Sequence, residues 1–252
     1  MHRKLFDLAS ANSGKGAGLR SEASGDGETA TIYVYDVIDP YWGVSAAALA
    51  KALAGITAPA IDLRINSPGG DVFEGRAMQS LLVGSGKTIT TRIDGLAASA
   101  ASVLALAGGN VQIAEGGFFM IHKGWTWMMG DADDFRDAAG LLDKVDGAIV
   151  ESYCAKTGKT AEDVLAWMSA ETWFTAQEAI DAGFCDAVMP TVAATAAAAG
   201  AAQAKARAFN LAVYDHAPTA LTEAASPPEQ TEIDETTRQR ALARLGLYER
   251  TA

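Results

Sequence analysis

A serine and a histidine in this chain have the types and surroundings expected of a nucleophile and its base. Ser99 lies in Gly-Leu-Ala-Ala-Ser-Ala-Ala-Ser (residues 95–102), and His122 follows Met-Ile. A serine hydroxyl attacks a carbonyl only when a base takes its proton, and histidine is best suited to this near neutral pH. The other histidines are His2, near the start, and His216, in a low-complexity region. We therefore predict that His122 is the base for Ser99.

Acyl transfer also needs amide hydrogens that stabilise the negative charge on the attacked carbonyl oxygen. Ser99 opens a predicted helix, so the N–H of Ala100 would lie beside that oxygen, at the positive end of the helix dipole. A second donor is expected from Gly69-Gly70, because glycine lets the backbone approach a substrate closely. The two segments together predict an oxyanion hole.

A third group should hold the imidazole in its productive tautomer. Residue spacing leaves several carboxylates open: Asp143, Asp146, Asp163 and Glu171. Lys123 offers a serine–lysine dyad, but it directly follows His122 at a predicted strand end and should point the opposite way. Ser102, one helical turn after Ser99, is interpreted as a packing residue. Trp125 follows His122 closely and would line either a groove for an extended peptide or a subunit contact.

Alternating strands and helices must position these residues. β-branched and apolar runs predict strands at 31–38, 60–66, 88–93, 111–114 and 118–121. Helical periodicity predicts helices at 45–53, 71–82, 99–107 and 133–156. This order is typical of βαβ units in an α/β fold with a mainly parallel sheet. Functional turns in such folds follow the carboxyl ends of strands, which is where Gly70 and Ser99 lie.

Composition divides the chain into three parts. Residues 1–29 are rich in Ser, Gly and charged side chains after the first few positions, and we predict that they form a mobile N-terminal arm. Residues 30–190 carry the periodic elements and form the predicted domain. Residues 191–252 are alanine-rich with few large apolar side chains, and we predict a low-complexity C-terminal extension of scaffold-like character.

Charge and cysteine content exclude several classes of protein. The net charge of −11 argues against nonspecific binding to nucleic acid. The two cysteines are not in a metal-binding spacing, so we expect neither a disulfide scaffold nor a metal site. The basic start lacks the apolar run of an export signal, and no window is apolar enough to cross a membrane. We expect a cytoplasmic protein.

Four ordered motifs resemble the proteolytic subunits of Clp proteases. They are Ile-Asn-Ser-Pro-Gly-Gly (65–70), Gly-Leu-Ala-Ala-Ser (95–99), Met-Ile-His (120–122) and Thr-Ala-Gln-Glu-Ala-Ile-Asp-Ala-Gly (175–183). Tyr-Trp-Gly-Val-Ser (41–45) and Asp-Val-Phe (71–73) are similar to the phage branch of the family, the head maturation (prohead) proteases. The resemblance covers roughly residues 30–190.

The resemblance implies a ClpP/crotonase-like fold, ring-shaped homo-oligomers and a triad of serine, histidine and acid. By position the triad is Ser99, His122 and Glu171, although better-known members have aspartate at the third position. The implied oxyanion donors are Gly70 and Ala100. Gly69 and Trp125 are expected to contact substrate, and helix 133–156 corresponds to the protruding handle through which rings stack.

These expectations favour an endopeptidase that processes capsid or scaffold proteins during phage head maturation, in the host cytoplasm or inside the assembling prohead. The chemistry requires no metal or cofactor. One alternative is a cellular Clp subunit that works with an ATPase. Another is an assembly protein whose extension acts as scaffold, with peptidase activity secondary. A crotonase-type acyl-CoA enzyme is disfavoured, because Ser99 and His122 have no assigned role in it.

Overall fold

β4 is the central strand around which the other elements are arranged. The computed structural model describes residues 4–25, 27–189 and 195–222. Its strands are β1 (Gly18–Ala23), β2 (Thr29–Tyr35), β3 (Ala60–Ser67), β4 (Thr88–Ala98), β5 (Asn110–Ile113), β6 (Phe118–Ile121), β7 (Thr172–Thr175) and β8 (Ala187–Val188). Its helices are α1 (Lys4–Asn12), α2 (Ala46–Ala54), α3 (Val72–Gly84), α4 (Ala100–Ala105), α5 (Ala132–Thr157), α6 (Ala161–Ser169), α7 (Ala176–Ala182), α8 (Thr195–Ala206) and α9 (Thr219–Thr222).

The sheet is mostly parallel, as the alternation of strands and helices predicts. Its strand order is β1-β2-β3-β4-β5-β8, and β6 branches from β4 to pair with β7. Only the β1–β2 and β6–β7 pairs are antiparallel. The architecture confirms the α/β class, and the long α5 matches the helix predicted at 133–156.

β4 bends in the middle, and the bend brings two strand ends together. Its register with β3 steps from Ile65 opposite Ile93 to Ser67 opposite Ala97, so β4 contains extra residues at this point. The first half of β4 pairs with β5 and the second half pairs with β6. Such irregularities bend a strand and redirect its side chains. As a result β4 and β6 end side by side.

Apolar side chains cover both faces of the second half of β4. Ala97 faces the main core with Phe119 and Ile121 of β6. Leu96 and Ala98 face a second apolar cluster, because successive side chains of a strand alternate between faces. All six residues of α4 are buried in the main core, as its lack of a polar face predicts.

Helix ends follow the predicted capping signals. Ser45 caps α2, and Thr175 with Glu178 forms a capping box on α7. Gly158 and Gly183 end α5 and α7 in the left-handed conformation, which glycine adopts without strain. Within the described parts of the chain, no helix has the length and apolar character needed to span a membrane.

The prediction of a mobile N-terminal arm was wrong for the described residues of 1–29. Residues 4–12 form α1, and 18–23 form β1, which pairs with β2. Leu8 and Ala9 are buried in the second apolar cluster. The other members of this cluster lie roughly 30 to 210 residues later in the chain, so local periodicity carries no sign of this helix.

Part of the predicted extension, residues 195–222, packs against the domain and is not a separate unit. α8 crosses β4 at Gly95, where an added Cβ would lie 2.7 Å from the carbonyl oxygen of Ala202. Ala202 and Ala206 are buried at this crossing. The alanine content therefore permits a close helix-to-sheet approach. Residues 223–252 of the extension lie outside the described residues.

Candidate active site

Ser99 lies in a sharp turn between β4 and α4. Its backbone angles, φ 54° and ψ −124°, are far from those of a strand or a helix. Among non-glycine residues in the described ranges, only Ser99 and Glu171 have positive φ. A positive φ costs energy in residues with a side chain, and such strain clusters at functional sites. The backbone therefore marks the same two positions that sequence reasoning selected as nucleophile and acid.

The pairing of β4 with β6 brings His122 to Ser99. Ala98 lies opposite Met120 in this parallel pair, and the N–H of Ser99 donates to the carbonyl of Met120 at 2.9 Å. His122 follows the last residue of β6. Its Nε2 lies 2.7 Å from Ser99 Oγ. The structure thus brings the predicted nucleophile and base within hydrogen-bond distance.

The Gly69-Gly70 turn lies directly against Ser99. A Cβ added at Gly69 would lie 2.6 Å from the Ser99 Cβ and 3.1 Å from the Ala100 nitrogen. Ile38 brackets Gly70 by two bonds: its N–H donates to Gly69 and its carbonyl accepts from Asp71, both at 2.8 Å. In a parallel pairing of this kind the bracketed residue turns its own N–H away from the partner. The Gly70 N–H therefore points away from Ile38.

Ala100 supplies a second amide beside Ser99. It is the first residue of α4, where an N–H has no acceptor within the helix. Gly70, Ser99 and Ala100 all line one cavity of about 430 Å³, and His122 lines it as well. Apolar side chains of α5, among them Leu142 and Val145, form much of its wall. The cavity can therefore hold an apolar side chain next to the serine.

Trp125 lines this cavity and also contacts the histidine. Its Nε1–H donates to His122 Nδ1 at 2.9 Å. An indole N–H only donates, so His122 Nδ1 must be unprotonated and the ring proton of neutral His122 is on Nε2. In this tautomer Nε2–H donates to Ser99 Oγ. Contact with substrate remains a prediction for Trp125 and Gly69, and the structure adds a histidine-orienting contact for Trp125.

Burial keeps His122 neutral. Desolvation and, to a smaller extent, the nearby Lys4 charge lower the pKa of His122, Asp215 and the Lys123 backbone raise it, and the net result is a pKa of about 4. A neutral imidazole can act as a base only through an unprotonated Nε2. The described tautomer therefore lacks the free lone pair that Ser99 would need.

The structure does not bring Glu171 to His122 in the described arrangement. The Glu171 carboxylate accepts hydrogen bonds from the backbone N–H of Asp215 at 3.1 Å and of His216 at 2.7 Å. It also accepts from Trp173 Nε1 at 3.3 Å. The orienting role of Glu171 stays a prediction, because its carboxylate is bound by the chain after α8 and the His122 Nδ1 by Trp125.

Tyr214 is a site residue that sequence reasoning missed. Its ring lies 5.5 Å from the His122 ring in an edge contact, and its hydroxyl donates to the Pro68 carbonyl at 2.6 Å. Tyr214 lies in a region of low complexity, and no local pattern in the sequence signals this contact.

The other side chains considered near the site have structural roles. Ser102 Oγ hydrogen-bonds the Ser99 carbonyl at 2.5 Å and the Tyr153 hydroxyl at 2.7 Å, which agrees with a packing role. Lys123 is exposed next to His122. Asp146 accepts from the Gly124 N–H at 2.7 Å, so it supports the loop after His122.

The lowered pKa of His122 predicts a loss of stability in mild acid. The pKa of His122 is about 4 in the folded state, below its ordinary value of 6.5. As pH falls, His122 of the unfolded chain binds a proton before His122 of the folded chain does. The free energy of unfolding is therefore unaffected by this group above about pH 6.5 and decreases between pH 6.5 and pH 4. We expect the thermal midpoint to fall across this window, and the fall to be smaller in His122→Gln.

The matched control is His216→Gln, which should keep the wild-type pH dependence. The buried Asp36 and Asp146 have raised pKa values and act in the opposite direction, but they are present in all three proteins and cancel in the comparison. Identical pH profiles for wild type and His122→Gln would show that His122 is not buried in neutral form.

Comparisons with known proteins agree with this geometry. The profile of the family described as Clp protease matches residues 44–192. "ATP-dependent Clp protease proteolytic subunit 1" of Leifsonia xyli subsp. xyli is 34% identical over 146 residues, which cover 57% of this chain and 74% of that protein. The "ATP-dependent Clp protease proteolytic subunit" of Porphyromonas gingivalis is 32% identical over 51% of this chain and 59% of its own length.

A solved structure shares the fold. A mutant of ClpP1 from Listeria monocytogenes superposes with a TM-score of 0.56 and 22% identity, and covers 66% of this chain and 94% of that one. Because the family profile spans more than half of the sequence, the relationship does not rest on fold alone. The chain therefore belongs to the Clp protease family and is a serine endopeptidase of that type.

Proposed function

We propose that Ser99 is the catalytic nucleophile of this endopeptidase and that His122 is its general base. The observation that carries the proposal is the 2.7 Å contact between His122 Nε2 and Ser99 Oγ at a strained turn. A nucleophile and base within hydrogen-bond reach, beside two amide hydrogens, form the arrangement that acyl transfer needs.

Peptide hydrolysis would proceed in two stages at these residues. Ser99 Oγ attacks the peptide carbonyl carbon while its proton passes to His122 Nε2, and the carbonyl oxygen becomes negative. The amides of Gly70 and Ala100 stabilise that oxygen. The C–N bond then breaks as His122 returns the proton to the leaving amine. Water attacks the acyl-enzyme, again with His122 as base, and frees Ser99.

Glu171 is the proposed orienting acid. For His122 Nε2 to accept a proton, Nδ1 must carry one, and a carboxylate is the usual acceptor for that N–H. Glu171 has the positive φ described above and follows α6, which lies next to the loop after His122. The proposal requires Glu171 to exchange its bonds to Asp215 and His216 for a bond to Nδ1.

The proposed substrates are capsid or scaffold proteins, processed during phage head maturation inside the host cell. The support is the similarity of residues 41–45 and 71–73 to the phage branch of the family. The proposed assembly is a ring-shaped homo-oligomer. Its support is α5, a 26-residue helix that exposes Phe135 and Leu141 to 52% and 55%. Exposed large apolar side chains on a long helix favour a role in contacts between subunits.

A second candidate is a cellular proteolytic subunit that works with an ATPase. The observation in its favour is the printed names of the curated relatives, which are ATP-dependent Clp protease subunits. The two candidates differ in what they require. Cleavage of a capsid or scaffold protein by the purified chain without ATP supports the phage role, and cleavage only with an ATPase and ATP supports the cellular one.

A fluorophosphonate probe tests the site itself. The probe should modify one serine, and mass spectrometry of the digested protein should locate it on the peptide that contains Ser99. Denatured protein should not react with the probe, because the Ser99 hydroxyl is activated only when the fold places it beside His122. Modification of another serine in the folded protein would contradict the assignment of the nucleophile.

A further inference from the structure

The hydrogen bonds of His122 have a fixed direction. Trp125 Nε1–H donates to His122 Nδ1 at 2.9 Å, and an indole nitrogen has no acceptor role. The ring proton of neutral His122 is therefore on Nε2. Tyr214 packs edge-on against this ring, with 5.5 Å between the ring centroids, and its hydroxyl donates to the Pro68 carbonyl at 2.6 Å.

The bond between the histidine and the serine therefore runs from His122 to Ser99. His122 Nε2–H donates to Ser99 Oγ across 2.7 Å. Proton transfer from Ser99 to His122 requires the opposite direction. The described arrangement is consequently a resting one.

The segment that carries Tyr214 also binds the proposed acid. The consecutive amides of Asp215 and His216 donate to the two carboxylate oxygens of Glu171 at 3.1 and 2.7 Å. Both carboxylate oxygens of Glu171 accept from backbone N–H groups, which can only donate. One short stretch of chain thus packs against His122 and binds the proposed acid at the same time.

This segment is anchored firmly on the domain. Its buried side chains join the second apolar cluster with α1 and the sheet; they are Ala206, Phe209, Leu211, Tyr214 and Leu221. Buried Asn12 exchanges two hydrogen bonds with the backbone of Asn210, at 2.9 and 2.6 Å. Lys4 pairs with Asp215 at 2.7 Å. The contacts with the site are therefore built into the fold.

We propose that residues 206–222 are an intramolecular latch that holds the catalytic site in a latent state. The proposal rests on the roles of Ser99, His122 and Glu171 proposed above. Release of the latch removes Tyr214 from His122 and frees the Glu171 carboxylate. Glu171 then replaces Trp125 Nε1–H at His122 Nδ1, the ring proton passes from Nε2 to Nδ1 by exchange with water, and Nε2 becomes a base.

The test compares the rate of fluorophosphonate labelling of Ser99 in three full-length proteins. Tyr214→Ala removes the ring and the hydroxyl from the site, and we expect its rate constant to rise about 10-fold or more over wild type, since a latent enzyme reacts only through its minor open state. Thr222→Ala is the control on the same segment, because the Thr222 hydroxyl bonds only to Pro218 and Thr219 nearby. It should label at the wild-type rate.

The outcomes separate the latch from the proposed function. An equal or lower rate in Tyr214→Ala, with Ser99 labelled in wild type, overturns the latch and leaves the nucleophile in place. Absence of labelling at Ser99 in both folded proteins overturns the proposed function and the latch with it.

A second measurement decides the question in the wild-type protein if Tyr214→Ala does not fold. Nitrogen NMR of labelled histidine distinguishes the two neutral tautomers, and loss of the signal in His122→Gln assigns it. We expect the His122 proton on Nε2, as the bond from Trp125 requires. A proton on Nδ1 would overturn the proposal.

Discussion

Replacement of Ser99 by alanine is expected to abolish peptide hydrolysis, with a fall in kcat of roughly 10⁴- to 10⁶-fold. The substitution removes the atom that forms the acyl-enzyme and leaves the oxyanion donors in place, so a small residual rate remains. The measurement is the cleavage of a fluorogenic peptide. It should be made in wild type and in Tyr214→Ala, so that a closed latch does not hide the effect.

Ser102→Ala is the matched control for this variant. It removes a hydroxyl three residues away that bonds the Ser99 carbonyl and Tyr153. The buried Tyr153 hydroxyl loses a partner, which costs about 1–3 kcal/mol of stability. Hydrolysis should persist in the folded protein. If Ser99→Ala retains activity and Ser102→Ala loses it, the nucleophile has been assigned to the wrong serine.

Replacement of Gly69 by alanine is expected to lower kcat by roughly 10²- to 10³-fold, the usual effect of losing an oxyanion donor. The new Cβ would lie 2.5 Å from the Ala98 carbonyl oxygen and 2.6 Å from the Ser99 Cβ. Gly69 also has φ +88°, which strains any L side chain. The turn must therefore move away from Ser99 and carry the Gly70 amide with it.

The effect should fall on kcat more than on KM, because the oxyanion forms only during the reaction. Gly147→Ala is the control, since a Cβ at this position in α5 has no atom within 4 Å. It should raise stability by about 0.5–1 kcal/mol and leave the rate unchanged. A normal rate in folded Gly69→Ala would place the oxyanion donors elsewhere.

The sequence predicts the elements that position Ser99 and His122 well, because each has a local signal. The strand ending at Ser67, the helix beginning near Asp71 and the capping box at Thr175 all appear within a residue or two of their predicted places. Periodicity and caps depend on neighbours in the chain. The bend in β4, which brings Ser99 to His122, is a tertiary feature without a local signal. The pairing itself was predicted from the chemistry of the two side chains and the positions of the other histidines, and from the family resemblance.

The parts that the sequence did not predict depend on contacts distant in the chain. α1 has its partners near residue 210, and the alanines of α8 are explained only by the approach to Gly95. The bonds of Glu171 come from backbone amides, which carry no residue-specific signal. Tyr214 was not predicted as a site residue, because its contacts with Pro68 and His122 join positions far apart in the chain.

The two hydrogen bonds between Asn12 and Asn210 join residues 198 positions apart, and this separation matters while the chain is being translated. At typical translation speeds, about 10–40 s pass between the emergence of the two partners from the ribosome. In the later part of that interval the nascent chain contains Ser99 and His122, and Glu171 emerges about 2–8 s before Asn210, while the apolar face around Leu96 and Met120 has no cover from the later segment. Every newly made molecule therefore passes through a period in which its catalytic residues exist before the contacts that restrain them.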